Sequence, residues 1–201
     1  MSALAKDVSE VAGRLPHGPV HLVGHSFGGF VARAAVLTTL SSFQSLTLMS
    51  SGPGALPGGR GVLVRLLAEC LEVGDRAGAW QIALRLADLP DAGDDGGGAA
   101  FVQHRFERTS SAALVTMANV LLEEPDRVQD LRSVAVPMLV LYGAEDDGWP
   151  VPLQVEMAER LGARQVAIAQ AAHSPATEQP RSTAAALLGF WAEVEGRSES
   201  A

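Results

Sequence analysis

The stretch VHLVGHSFGGFVARAAVLTTL, from Val20 to Leu40, decides the fold of this 201-residue chain. Its first five residues are apolar enough to predict a short β-strand that is buried on both faces. From Phe30 onward, small and apolar residues predict a helix that packs against a neighbouring layer. The glycine-rich segment between them predicts a tight turn. A strand that reverses directly into a helix is the basic connection of a sheet covered by helices.

The same alternation of strand and helix continues on both sides of this stretch. Apolar patterns predict further strands at 45–50, 134–143 and 164–170, and helices at 3–15, 62–74, 78–89, 115–124, 151–162 and 181–194. This order predicts an α/β fold, a mostly parallel sheet flanked by helices with a long helical insertion between its second and third strands. We expect a core formed by 1–60 and 132–196, an insertion over 61–131, and a polar frayed tail over 197–201.

Composition and charge exclude several classes of function. The net charge of −8 disfavours nucleic-acid and anionic-membrane partners, because both favour basic patches. No apolar window is long enough to predict a membrane span, and the amphipathic N-terminal segment does not resemble a signal peptide. The single cysteine, Cys70, excludes an internal disulfide. We therefore expect a cytoplasmic protein.

The turn Gly24-His25-Ser26-Phe27-Gly28 is the first candidate for chemistry. Glycines two residues before and after the serine would relieve the crowding of a sharp strand-to-helix turn, and such a turn raises the serine oxygen above the sheet. The amide of Phe27, at the start of the helix, could then donate a hydrogen bond to an oxyanion. His25 should point away from Ser26 and have a packing role. The alternative is that Ser26 only caps the helix.

A serine nucleophile needs a base, and a histidine base needs an acid that holds its tautomer. In this layout the acid and the histidine should each follow a later strand. Of the five histidines, His173 alone follows a late strand. The third strand is followed by three competing carboxylates, Glu145, Asp146 and Asp147. The residues alone leave the choice among them open.

Taken together, GHSFGG, LVLYGAEDD and AAHSPATEQP resemble the α/β-hydrolase superfamily, in particular its esterase-like members that carry a cap. The resemblance implies that Asp146 is the acid, with Asp147 in reserve, and that Glu178 and Pro180 match the segment after the histidine. It also implies that the insertion is a helical cap that shapes the acyl pocket, and that neither cofactor nor metal is needed.

The resemblance implies hydrolysis of an ester-type carbonyl through an acyl-enzyme at Ser26. Serine at this position argues against the relatives that use an aspartate nucleophile, whereas lactone opening, C–C cleavage and cofactor-free peroxidation share the same triad. The insertion has no cluster of charge, so we expect a small, neutral and partly apolar substrate.

Relatives of this kind have an eight-stranded sheet in which the nucleophile follows the fifth strand, whereas only about twenty residues precede Val20 here. We therefore expect an N-terminally shortened hydrolase that lacks one oxyanion donor, a loss that typically costs about two to three powers of ten in rate. Its first strand would be a bare sheet edge that invites self-association. The alternative function is a catalytically silent domain that binds through this edge.

Overall fold

The computed structural model describes residues 1–16, 18–87 and 98–198, and the chain divides into two compact units. The core unit comprises Met1–Gly54 and Pro125–Ala201, and the inserted unit comprises Ala55–Glu124. The last helix continues to Ser198, two residues into the predicted tail, and residues 199–201 lie outside the described part of the chain.

The core unit contains a four-stranded parallel sheet in the order β1-β2-β3-β4. Its strands are β1 (Val20–His25), β2 (Phe43–Met49), β3 (Met138–Gly143) and β4 (Arg164–Ile168). This sheet confirms the predicted α/β class. All residues of β3 are buried, as expected for an apolar strand between two parallel neighbours.

Helices occupy most of the remaining described chain. In chain order they are α1 (Ser2–Gly13), α2 (Phe27–Thr38), α3 (Gly58–Glu72), α4 (Arg76–Leu86), α5 (Gly98–Arg108), α6 (Ser111–Glu123), α7 (Val128–Arg132), α8 (Val151–Leu161), α9 (Pro175–Glu178) and α10 (Pro180–Ser198). The helices α3 to α6 form the inserted unit, and the others belong to the core unit.

The core of the sheet unit is built from the alternation of side chains along the strands. Val140 and Tyr142 of β3 pack with residues of α1, α2, α7 and α8 on one face. Leu139 and Leu141 of the same strand pack with Phe190 of α10 on the other face. Both faces of the sheet are therefore covered by helices, and the strand ends remain for chemistry.

Strand β1 is less buried than its sequence predicts. It pairs with β2 alone among the described strands, and most of its side chains are half-buried or exposed. Val23, for example, is 36% exposed to solvent. The prediction of burial on both faces is wrong because an edge strand lacks the neighbour that would cover it.

Arg33 of α2 holds the two places where the chain passes between the core sheet and the inserted segment. Its guanidinium is buried and donates hydrogen bonds to the carbonyl oxygens of Pro53 (2.7 Å), Gly52 (3.3 Å) and Pro125 (3.3 Å). The amide of Arg127 donates to the same Pro53 oxygen. Thus the outgoing and returning segments run side by side against the helix that follows Ser26.

The inserted unit is a separate helical unit with its own core. Leu67, Leu71, Ala79 and Phe106 form a buried cluster within it. The inserted unit covers 55–124, whereas the sequence placed the insertion at 61–131. The unit ends before the predicted boundary because α7 packs with the core sheet. In the part of the chain that the structure describes, no helix has the length and apolar character needed to cross a membrane.

Candidate active site

Ser26 lies at the turn between β1 and α2 in a strained backbone conformation. Its φ of 54° and ψ of −122° are rare for a residue with a side chain, and such a conformation typically costs about 1–3 kcal/mol. The Ser26 amide donates to the carbonyl oxygen of Met49 at 2.9 Å, which ties the turn to the end of β2. The fold therefore holds this serine in place instead of leaving it in a loose loop.

Of the two glycines expected to relieve crowding at the turn, only Gly24 does so. A Cβ at Gly24 would lie 2.4 Å from the carbonyl oxygen of Gly28, so the strand and helix can approach this closely only without a side chain. A Cβ at Gly28 itself would meet no other heavy atom within 4 Å. The second close approach is at Gly29, where a Cβ would lie 2.3 Å from Oγ of Ser51. The steric role predicted for Gly28 is thus wrong, and Gly29 has it.

His173 follows β4 and reaches back to the serine. Its Nε2 lies 3.0 Å from Oγ of Ser26, and its Nδ1 lies 2.9 Å from Oδ1 of Asp146. The His173 side chain is 20% exposed, so its ring is accessible, while the Asp146 side chain is fully buried. The structure therefore brings Ser26, His173 and Asp146 into one hydrogen-bonded chain, although Ser26 and His173 are 147 residues apart in the sequence.

Asp146 is held as a carboxylate by several donors. Its Oδ1 also accepts from the amide of Gly148 at 2.8 Å, and its Oδ2 accepts from Nε2 of Gln154 at 2.9 Å. Burial by itself would raise the pKa of Asp146, but the hydrogen bonds from His173, Gln154 and Gly148 outweigh burial and hold that pKa below its ordinary value. Asp147, the reserve acid, is exposed.

Two residues that the sequence did not single out shape this chain of hydrogen bonds. Gln154 of α8 is completely buried and also donates to the carbonyl oxygen of Trp149 at 3.1 Å, which fixes the acid loop. A Cβ at Gly148 would lie 2.1 Å from Nδ1 of His173. No local motif announces either residue, because both are defined by distances across the fold.

The first helical residue after the serine is Phe27, which begins α2. Amides in the first turn of a helix have no partner within the helix, and the helix dipole favours negative charge there. The Phe27 amide therefore can stabilise an anion that forms next to Ser26. Within 1–16, 18–87 and 98–198, no group of three or more His, Cys, Asp or Glu side chains could hold a metal ion.

Aromatic side chains surround the histidine. The Trp149 ring centroid lies 6.1 Å from that of His173 and 5.7 Å from that of Phe30, which it meets edge-on. Trp149 and Phe30 are almost completely buried. Gly52 allows the close packing of this indole, because a Cβ there would lie 2.0 Å from its ring. The ring of Trp149 is therefore held in a fixed place beside His173.

A second grouping of serine, histidine and carboxylate lies elsewhere in the core unit. Nδ1 of His21 lies 2.7 Å from Oγ of Ser45, and its Nε2 lies 3.2 Å from Oε1 of Glu195. The His21 ring also stacks on Trp191 at 5.2 Å. Ser45 has no exposure, so no external substrate can reach its oxygen. This grouping therefore ties β1 and β2 to α10 and provides an internal control for the accessible one.

The sequence of the chain matches the model of a known family over residues 1–186, which is most of its length. The family is described as the Alpha/beta hydrolase family. The chain belongs to this family. No curated protein matches it in sequence.

Solved structures of three hydrolases share the fold of this α/β hydrolase. A carboxylesterase of the ammonia-oxidizing thaumarchaeon Nitrososphaera gargenis has a TM-score of 0.78 and 21% identity, with 97% of this chain and 72% of that chain covered. A thermophilic esterase from Thermogutta terrifontis has a TM-score of 0.74 and 22% identity, with 96% of this chain and 72% of that chain covered. An enol-lactonase from Burkholderia xenovorans has a TM-score of 0.75 and 18% identity, with 94% of this chain and 72% of that chain covered. At these identities the likeness establishes the fold alone.

Proposed function

We propose that this α/β hydrolase is a serine hydrolase that cleaves an ester-type carbonyl substrate through an acyl-enzyme at Ser26. The observation that carries the proposal is the hydrogen-bonded chain from Ser26 through His173 to Asp146, with distances of 3.0 and 2.9 Å. These distances lie within the range over which a base can take a proton from a hydroxyl. Asp147 stays in reserve as the acid, although its exposure makes it the weaker candidate.

In the acylation step, Oγ of Ser26 attacks the carbonyl carbon while Nε2 of His173 takes the hydroxyl proton. Asp146 accepts a hydrogen bond from Nδ1–H, which keeps the correct tautomer and stabilises the imidazolium that forms. The oxyanion of the tetrahedral intermediate accepts a hydrogen bond from the Phe27 amide. The leaving alcohol then receives the proton from His173, and the acyl group remains on Ser26.

In the deacylation step, His173 takes a proton from a water molecule, and the resulting hydroxide attacks the acyl carbonyl. A second tetrahedral intermediate collapses, the free acid leaves, and Oγ of Ser26 regains its proton from His173. The reaction consumes one water and produces one acid and one alcohol. Each proton transfer uses groups of this chain, so the proposed mechanism requires neither cofactor nor metal.

We propose a small, neutral and partly apolar substrate. The sequence of the insertion supports this choice, because it has no cluster of charged residues that would bind an ionic substrate. We further propose that the inserted unit, Ala55–Glu124, acts as the cap that selects the acyl group.

Labelling with a fluorophosphonate tests the nucleophile, because this probe reacts only with an activated serine. We expect the native chain and Ser45→Ala to be labelled, and Ser26→Ala to remain unlabelled. Ser45→Ala is the matched control, since it removes the serine of the buried grouping around His21. Equal labelling of native and Ser26→Ala would reject Ser26 as the nucleophile.

Turnover of p-nitrophenyl acetate, assayed beside a simple lactone, tests the reaction type. We expect ester hydrolysis in the native chain and its loss in His173→Ala by several powers of ten, because the base is removed. Exclusive opening of the lactone would change the substrate class and leave the serine mechanism in place.

The second candidate function is a silent binding role in which β1 pairs with a second copy of the chain. The exposure of β1 at the edge of the described sheet favours it. Hydrolysis that depends on His173 would reject the silent role.

A further inference from the structure

The main chain around His173 is held by two side chains outside the proposed triad. Nε2 of His25 lies 2.7 Å from the carbonyl oxygen of His173. The carboxylate of Glu178 accepts hydrogen bonds from the amides on either side of the histidine, from Ser174 at 2.7 Å through Oε1 and from Ala172 through Oε2. Side chains thus hold one backbone group in each of three consecutive residues, the amides of Ala172 and Ser174 and the carbonyl of His173.

We infer that His25 and Glu178 are positioning residues that keep the His173 main chain within reach of Ser26. The inference rests on the proposed function of this site and extends it beyond the three residues of the triad. It replaces the packing role predicted for His25, because its ring forms a specific hydrogen bond instead of packing alone.

The position of His25 makes its hydrogen bond more than a local contact. His25 is the last residue of β1 and the direct neighbour of Ser26, so its ring connects the strand that carries the nucleophile to the peptide that carries the base. The bond therefore constrains the same distance that proton transfer needs, the 3.0 Å between Oγ of Ser26 and Nε2 of His173. A misplacement of about 1 Å at a reacting group can cost about a hundredfold in rate.

The protonation state of His25 agrees with this role. A carbonyl oxygen only accepts, so Nε2 of His25 must carry a proton and donate. His25 keeps an exposed surface, but partial desolvation of its ring by the surrounding atoms lowers its pKa, although the hydrogen bond to the His173 carbonyl raises that pKa in part. The ring is therefore neutral at pH 7. A neutral ring suits this place, because its centroid lies only 5.3 Å from that of His173 and a charge would oppose the imidazolium that forms there.

Glu178 could instead be an ordinary cap of the short helix α9, since it bonds the Ser174 amide at the start of that helix. A cap alone does not account for its second bond, to the Ala172 amide before the histidine. Together the two hydrogen bonds connect the residues before and after His173 through the Glu178 carboxylate. The side chain of His173 is oriented by Asp146, and its main chain by Glu178 and His25.

Three variants test the inference in the full chain. His25→Leu removes the donor, His25→Gln retains a donor on a side chain that does not titrate, and Glu178→Gln replaces one of the two acceptor oxygens with an amide. We expect kcat for p-nitrophenyl acetate to fall about ten- to a hundredfold in His25→Leu, with KM changed less than about threefold. His25→Gln should recover most of the loss.

Hydrogen–deuterium exchange provides a readout that does not depend on turnover. The amides of Ala172 and Ser174 should exchange slowly in the native chain and at least tenfold faster in Glu178→Gln. His21→Leu is the matched control, because His21 lies on the same strand but bonds Ser45 and Glu195. We expect it to leave both kcat and exchange at the histidine peptide unchanged.

The inference is wrong if His25→Leu keeps the native kcat, or if His25→Gln is as impaired as His25→Leu. If His25→Leu does not fold, unchanged exchange of the Ala172 and Ser174 amides in a normally folded Glu178→Gln variant decides against the inference. A native chain that is neither labelled nor active would defeat the proposed function. A native chain and a His25→Leu variant that are labelled at Ser26 at equal rates would defeat this inference alone.

Discussion

At the scale of single residues, the contact between Gly148 and His173 gives a sharp test of how tightly the site is packed. A Cβ at position 148 would lie 2.1 Å from Nδ1 and 2.3 Å from Cε1 of the His173 ring, so the ring or the loop must move. We expect Gly148→Ala to lower kcat for an ester by about a hundredfold, because the ring is displaced from Ser26 and Asp146.

The matched control for this substitution is Gly189→Ala in α10, where an added Cβ meets nothing within 4 Å. Alanine in a helix interior is favoured over glycine by about 0.5–1 kcal/mol, so this variant should keep its kcat and unfold at a slightly higher temperature. Native kcat in Gly148→Ala would show that the ring tolerates displacement, contrary to our expectation.

The sequence predicts residues whose role depends on chain order and fails for those whose role depends on distance. Ser26 and His173 could be named as candidates because each follows a strand, and parallel strands end at one edge of a sheet. The same rule left three carboxylates open, and only the family resemblance favoured Asp146. Gln154 and Gly148 carry no such signal. One bonds the acid from the next helix and the other meets the histidine ring, and only the folded backbone brings these atoms together.

At the scale of elements, strands and helices of strong periodicity were predicted within a few residues of their observed ends. The helix α5 (Gly98–Arg108) and the short helices α7 and α9 were not predicted as separate elements. The sequence of α5, GAAFVQHRFER, is amphipathic, but it begins within the glycine-rich run 96–98, which favours a loop. The burial of β1 was mispredicted because its apolar sequence is typical of a central strand. The expectation that β1 is an edge came from the family resemblance, and β1 is the first strand in the observed sheet order.

The edge position of β1 gives a prediction about association. Next to this strand, a mostly apolar groove is lined by residues of α1, of the segment after it and of the first two strands, namely Asp7, Val8, Val11, Ala12, Leu15, Val20, Leu22 and Phe43. We expect the native chain to self-associate in sedimentation velocity as its concentration rises, and Val23→Lys to remain monomeric, because lysine on an edge strand disfavours pairing.

Leu188→Lys is the matched control for this experiment. Leu188 is a 60% exposed apolar residue of α10, on a helix and not on the strand edge. If solubility alone governed association, both lysine variants would behave alike. A native chain that stays monomeric at every concentration would remove the basis for the second candidate function.

At the scale of the whole molecule, the α/β class could be predicted because it needs only the order of strands and helices. The boundary between the two units could not, because it depends on which layer α7 packs against. Val128 and Leu131 of that helix are buried in the core of the sheet unit, although their sequence continues the helical pattern of the insertion. The local periodicity of α7 is compatible with either unit, and only its packing in the folded chain shows that it belongs to the core unit.

The stability of the whole chain should fall on acidification, and the sign follows from three lowered pKa values. Burial lowers the pKa of His25, while hydrogen bonds outweigh burial and lower the pKa values of Asp146 and Asp126. In each case the unfolded chain binds more protons than the folded chain, so the free energy of unfolding rises with pH. The carboxylates contribute stability above about pH 4, and that contribution is lost as the pH falls through their lowered folded-state values.

His25 acts at higher pH, since its unfolded-state pKa is about 6.5 and the folded chain keeps the ring neutral below that value. We therefore expect the free energy of unfolding in urea to decrease in two stages, from about pH 7 to 5 and again below about pH 4. The curve of His25→Gln should lack the His25 contribution in the upper stage, because glutamine does not titrate. The curve of Asp146→Asn should be flatter in the lower stage. If acidification between pH 7 and 5 stabilised the native chain relative to His25→Gln, the neutral ring, and with it the balance of charge beside His173, would be assigned wrongly.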